Sequence, residues 1–124
     1  MGLKNTSDLP VGVIGLGSFG TAIANVLSRN ARVIIYGRNP DLVKKAKADR
    51  TINGQVLNDS IEITDDLEKV AGTCNTIFPI IPSGSFRDLM RSLSPYLKPY
   101  HILIHGTKGL AVNRQFEGII YWVQ

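Results

Sequence analysis

Ten residues near the start of the chain carry its clearest chemistry. In Val11-Gly12-Val13-Ile14-Gly15-Leu16-Gly17-Ser18-Phe19-Gly20 a short apolar strand runs directly into G-x-G-x-x-G, and a helical pattern follows at once. Flanked in this way, the glycines have separate tasks. Gly15 admits a tight turn, Gly17 lets backbone N–H groups approach a pyrophosphate with no Cβ in the way, and Gly20 lets the helix pack closely on the strand. The helix then directs its positive end at the phosphates. The expected ligand is a dinucleotide.

Two cations lie where such a ligand would be read. The second apolar run ends at Gly37-Arg38-Asn39, a place where an NAD-binding fold usually has an acidic residue for the ribose 2′-hydroxyl. Arg38 instead offers a planar donor fork suited to a 2′-phosphate, which favours NADPH, with NADH as the alternative. Asp41 lies close enough in sequence to accept a hydroxyl, and an ordinary exposed arginine is the plainer reading of Arg38. Further on, Gly106-Thr107-Lys108-Gly109-Leu110 follows the fifth apolar run. Lys108 is then either a cation holding a phosphorylated or carbonyl substrate, or a solvated loop lysine.

The elements that must position these residues follow from periodicity. Phe19, Ile23, Val26 and Leu27 recur at helical spacing and predict a helix over residues 18–29 with Ser18 near its N-terminus. Residues 32–36 read as a strand buried on both faces. Residues 41–49 read as a helix with Leu42, Val43 and Ala46 inward and Lys44, Lys45 and Lys47 on its solvated face. A loop rich in Asn and Gly follows, then a strand at 61–64 and a brief helix capped by Asp65. Residues 76–81 predict a fourth strand, although Pro79 lacks an N–H.

Pro82-Ser83 opens a helix with Phe86, Leu89, Met90 and Leu93 on one face, stopped at Pro95. His101 to His105 frames a fifth strand, where both histidines cap or flank the strand. This alternation predicts an α/β fold with a doubly wound parallel sheet, Rossmann-like, with ligands at the carboxyl ends of its strands. Only five strands are recognisable, against the six common in such folds. Phe116, Ile119, Ile120 and Val123 suggest a further amphipathic element. The expected organisation is a polar leader at residues 1–10, a dinucleotide-binding domain at 11–110, and the start of a further element at 111–124 in a truncated chain.

Composition narrows the function classes. At 124 residues with 44% hydrophobic content the chain suits one globular domain, and no apolar run approaches a membrane span, so no membrane insertion is expected. One cysteine, Cys74, and two histidines leave no metal-ligand cluster and no internal disulfide, which fits a cytoplasmic protein. The net charge of +4 favours anionic partners, but the basic residues are scattered without interleaved aromatics. A small phosphorylated substrate fits this charge, and nucleic acid does not. The apolar tail, or a domain beyond it, is the expected route to any homo-oligomer.

Taken together, the glycine turn, Tyr36-Gly37-Arg38, Arg50 with Asn53, Ile81-Pro82-Ser83 and Thr107-Lys108-Gly109-Leu110 resemble the N-terminal half of NAD(P)-dependent glycerol-3-phosphate dehydrogenases. The resemblance implies that Ser18, Phe19, Arg38, Pro82 and Lys108 bind the cofactor, that Asn39 lies beside the adenosine ribose, and that Lys108 also touches substrate. It further implies reduction of dihydroxyacetone phosphate to sn-glycerol 3-phosphate, a glycerophospholipid precursor. In that family a lysine in a helical C-terminal domain moves the proton, so no catalytic residue is expected among these 124 and the chain by itself is expected to be inactive. Phe19 departs from the family's more usual Trp or Tyr. The alternatives are another NADP-dependent dehydrogenase, of the ketopantoate reductase or hydroxyacid dehydrogenase type, and a non-catalytic dinucleotide-sensing module.

Overall fold

Five parallel pairings hold the centre of this protein together, and they arise from short, mostly apolar and β-branched runs. The computed structural model describes residues 9–81, 83–105 and 119–122. Most of the leader, together with Pro82 and the segment containing Lys108, lies outside the described residues. The chain proceeds through β1 (Val11–Ile14), α1 (Ser18–Leu27), β2 (Val33–Tyr36), α2 (Pro40–Asp49), β3 (Thr51–Ile52), β4 (Gln55–Val56), β5 (Glu62–Thr64), α3 (Leu67–Thr73), β6 (Thr76–Pro79), α4 (Ser83–Leu93), a 3-10 turn (Ser94–Tyr96), β7 (Ile102–His105) and β8 (Ile119–Trp122). Among the described residues the main sheet runs β5-β2-β1-β6-β7-β8 with every neighbouring pair parallel. This is the doubly wound order, and its direction reverses between β1 and β6.

Because side chains alternate along a strand, β1, β2 and β6 each feed two cores. Ile14, Ile34, Tyr36 and Ile77 face α3 and α4, where Val70, Phe86, Met90 and Leu93 meet them. Val13, Val33, Ile35 and Ile63 face the opposite way, against Ala24 of α1 and Val43 and Ala46 of α2. The stripe Phe86, Leu89, Met90, Leu93 packs as its spacing predicts, with Leu89 only partly buried.

Several local expectations are refined or corrected. The buried face of α1 is Gly20, Thr21 and Ala24, whereas Phe19 and Val26 are 60% and 56% exposed. Small residues lie against the sheet there because the glycine turn brings the helix too close for a larger side chain. Leu42 is also exposed rather than inward. The cap of α3 is Asp66, one residue later than expected: its carboxylate accepts from the N–H groups of Glu68 and Lys69, at 3.0 and 3.3 Å. The supposed loop after α2 contains the β3–β4 hairpin. Asn53 (φ 51°) and Gly54 (φ 82°) form its two-residue turn, the left-handed pair that an Asn-Gly sequence favours.

The expected shortage of strands is corrected too. Ile119–Trp122 pairs in parallel with β7, from Ile102 opposite Ile119 to His105 opposite Trp122, and supplies the sixth strand. A short apolar run has no decisive period of its own, and the open edge of β7 offers it backbone partners. Pro79 ends β6 at no cost in hydrogen bonds. Ile80 N–H donates to the Ile14 carbonyl at 2.8 Å, so the Pro79 nitrogen faces β7, where the pairing has already stopped after Ile77.

Candidate functional site

The carboxyl ends of β1, β2 and β6 open into a cleft of about 490 Å³. Gly15, Leu16 and Gly17 form its floor, Tyr36 to Asn39 one wall, and Ile80 and Ile81 with the cleft-facing side of α4 the other. Arg38 is the cation among the lining residues and Asp88 the carboxylate. The site lies at the reversal of strand order, where the fold predicts a ligand.

The three glycines of the turn differ sharply in what surrounds them. Gly15 has φ +130°, and a Cβ there would run into the Ile80 carbonyl oxygen. A Cβ on Gly20 would meet the Gly15 carbonyl oxygen. Both contacts are with backbone, so neither position has a way to adapt. A Cβ on Gly17, by contrast, would meet no protein atom within 4 Å. The fold itself therefore demands glycine at positions 15 and 20, while at 17 the missing side chain leaves room on the cleft side. Gly20 is buried beneath the turn and lines no part of the cleft.

Gly17 also caps α1 with no side-chain hydrogen bond, so no side chain competes for the first amides of the helix. Ser18 and Phe19 are exposed on that first turn. Arg38 is exposed at the cleft wall. Asn39 is committed differently: its Oδ1 accepts from the N–H groups of Asp41 and Leu42 at 2.9 and 3.4 Å and caps α2, leaving its amide nitrogen for the cleft. Pro82 and Lys108 lie outside the described residues. The sequence assigns no part in the site to the apolar walls Leu16, Leu42, Leu67 and Leu89. Leu42 carried a signal in hindsight, since it sits one helical turn after Arg38.

Tyr36, at the end of β2, has its hydroxyl ionisation pushed above the ordinary value by burial, against a lowering by Arg38 and with raising contributions from Asp65 and Asp66. At neutral pH the cleft thus holds a phenol and no phenolate. Gly37 is closely packed too, since a Cβ there would collide with the side chain of Leu16 and press on that of Val43.

Neither Cys74 nor the described histidine side chain belongs to this cleft. Burial, helped by Glu62 and opposed by Arg32, pushes the Cys74 thiol up to about 12. A thiol reagent at pH 8 is expected to leave the native protein unmodified and to react fully in denaturant; rapid labelling of the native chain would contradict this burial. The unfolded thiol ionises first, so this contribution to stability is complete below the reference value of 9.0 and is lost as pH rises toward 12. His101 is fully buried and structural: its Nδ1 accepts from the Lys98 N–H at 2.8 Å, and its Nε2–H donates to the Ala71 carbonyl at 2.7 Å.

Known proteins resemble both the sequence and this geometry. A family model described as the N-terminus of NAD-dependent glycerol-3-phosphate dehydrogenase matches residues 10–120. The glycerol-3-phosphate dehydrogenase of Serratia proteamaculans is 33% identical over 111 residues, covering 86% of this chain and 33% of that protein. The enzyme of the same name from Teredinibacter turnerae is 36% identical over 110 residues, covering 85% of this chain and 32% of its own length. A crystal structure of glycerol-3-phosphate dehydrogenase from Coxiella burnetii superposes with a TM-score of 0.77 at 27% identity, over 84% of this chain and 34% of that one. A ketopantoate reductase from Ralstonia eutropha superposes at 0.70 with 17% identity, over 90% of this chain and 40% of that one, and shares the fold alone. The chain spans about one third of the length of the curated relatives it matches. With nearly its whole length under one family model, the chain belongs to the NAD-dependent glycerol-3-phosphate dehydrogenase N-terminal family.

Proposed function

We propose that this chain is the dinucleotide-binding part of a glycerol-3-phosphate dehydrogenase, binding NADPH in preference to NADH and serving the reduction of dihydroxyacetone phosphate to sn-glycerol 3-phosphate. One observation carries the binding half of the reading. Of the three glycines in the turn, Gly17 alone is required by nothing in the protein, and it lines the cleft at the start of α1. Space kept open at a helix N-terminus suits a pyrophosphate. The residues present therefore fit the cofactor that the family's name implies.

Gly15, Gly17 and the first turn of α1, with Ser18 and Phe19, would hold the pyrophosphate, and Arg38 the 2′-phosphate. Asn39 would reach the adenosine ribose with its amide nitrogen, and Leu42, Leu67 and Leu89 supply an apolar wall for a base. Gly20 serves indirectly by setting the approach of α1 to the turn. A nicotinamide dinucleotide bound here supplies two-electron redox chemistry. Pro82 and Lys108 complete the proposed set, with Lys108 also contacting the phosphorylated substrate. A soluble, cytoplasmic role in glycerophospholipid synthesis accords with this reading, and no helix among the described residues is long and apolar enough to cross a membrane.

The test is a titration with both cofactors. NADPH is expected to bind more tightly, because a cation replaces the usual acid after β2. Arg38→Ala is expected to weaken NADPH binding by about tenfold while changing NADH by less than about twofold, the scale of one exposed charge-assisted contact. Equal weakening of both, or tighter NADH binding by the parent chain, would remove the 2′-phosphate assignment.

A further inference from the structure

The β3–β4 hairpin is short, lies outside the main sheet, and yet is fastened to α1 by three side chains. Asn25 makes two of the bonds: its Nδ2–H donates to the Val56 carbonyl at 2.9 Å, and its Oδ1 accepts from the Asn58 N–H at 2.9 Å. The other two converge on Ser18, the first residue of α1. Gln55 donates through Nε2–H to the Ser18 carbonyl at 3.1 Å, and Asn53 donates through Nδ2–H to the Ser18 hydroxyl oxygen at 3.4 Å. Asn53 therefore has two roles, since it also occupies the left-handed position of the turn.

These bonds bear on the one end of α1 that has no side-chain cap of its own. A helix with an uncapped first turn tends to fray, and a frayed turn disperses the amides that an anion needs. Here the carbonyl and hydroxyl of Ser18 are both held from outside the helix, immediately after Gly17. We propose that Asn53 and Gln55 are positioning residues for dinucleotide binding: the hairpin is a strap that keeps the first turn of α1 in place beside the glycine turn. This deepens the dinucleotide reading and rests on it. The strap acts at the pyrophosphate end of the cleft, whereas Arg38 acts at the ribose end, so the two influences separate by cofactor.

Asn53→Gly keeps a residue suited to the left-handed turn and removes the donor, and Gln55→Met keeps an unbranched side chain of similar length and removes the other. Each is expected to weaken NADPH and NADH by the same factor, about 3- to 10-fold, with an unchanged urea midpoint. In a Ser18→Ala background, Asn53→Gly is expected to cause no additional loss, because its acceptor is already gone; a merely structural asparagine would still cost stability there. Unchanged affinity in both folded variants, or a shift in the NADPH-to-NADH ratio, overturns the strap while leaving the cofactor reading in place. A parent chain that binds neither cofactor overturns both. Should Gln55→Met fail to fold, the Asn53 cycle decides the question by itself.

Discussion

Gly17→Val is expected to reduce dinucleotide affinity by up to about 100-fold while leaving the chain folded. The added side chain starts on the cleft side, where no protein atom lies within 4 Å of its first carbon, so the cost to the fold is confined to losing glycine at the helix cap. The larger cost falls on the ligand: forcing extra methyl groups into a close-packed contact costs about 1–3 kcal/mol, and the upper end of that range is roughly 100-fold in binding. The contrast is Gly20→Val. Its side chain would be driven into the Gly15 carbonyl, a backbone atom that cannot move without opening the turn, so the same substitution three residues later is expected to destabilise the fold. Circular dichroism with urea titration, followed by fluorescence titration with NADPH, separates the two. Undiminished affinity in a folded Gly17→Val protein would sink the claim that a ligand occupies this space.

His101→Leu is expected to lower stability by about 2–4 kcal/mol, a fall in melting temperature of roughly 10 °C for a chain of this size. Leucine fills much of the ring's volume, so the loss comes from polar groups rather than from a cavity. The Ala71 carbonyl belongs to the last turn of α3, where no intrahelical N–H reaches it, and His101 supplies its donor at the core. The Lys98 N–H, which fixes the approach to β7, loses its acceptor at the same time. A buried carbonyl and a part-buried N–H lose their partners at once, in a chain with few kcal/mol to spare. His101→Gln can replace one of the two bonds and is expected to lie between. A thermal melt of the three proteins checks the order, and a leucine variant as stable as the parent would show that water reaches both groups.

Much of the sheet was legible because its strands are short, apolar and β-branched and alternate with helical spacing. Val33 to Tyr36 reads as a strand covered on both faces and is one, and Phe86, Met90 and Leu93 fall where the helical period puts them. What spacing alone did not give was burial and closure. Phe19, Ile23, Val26 and Leu27 share a helical spacing, yet Phe19 and Val26 are exposed and Ile23 and Leu27 only partly buried, because the approach of α1 to the sheet, set by Gly15 and Gly20, puts Gly20, Thr21 and Ala24 against it. The Asn53-Gly54 pair is a hairpin signal, but strands of two residues leave no alternation for a period to reveal.

By itself the sequence determined the order of elements, the turn that begins α1, and the basic residue after β2 in place of an acid, since each depends on neighbours within a few positions along the chain. Only the tertiary structure decided that a Cβ at Gly17 would meet no protein atom while one at Gly15 or Gly20 would strike backbone, that β8 completes the sheet beside β7, that His101 serves α3, and that Asn53 and Gln55 reach Ser18. The physical reason is range: local conformation follows from backbone sterics and side-chain period, whereas which atoms share a volume depends on segments distant along the chain being folded together.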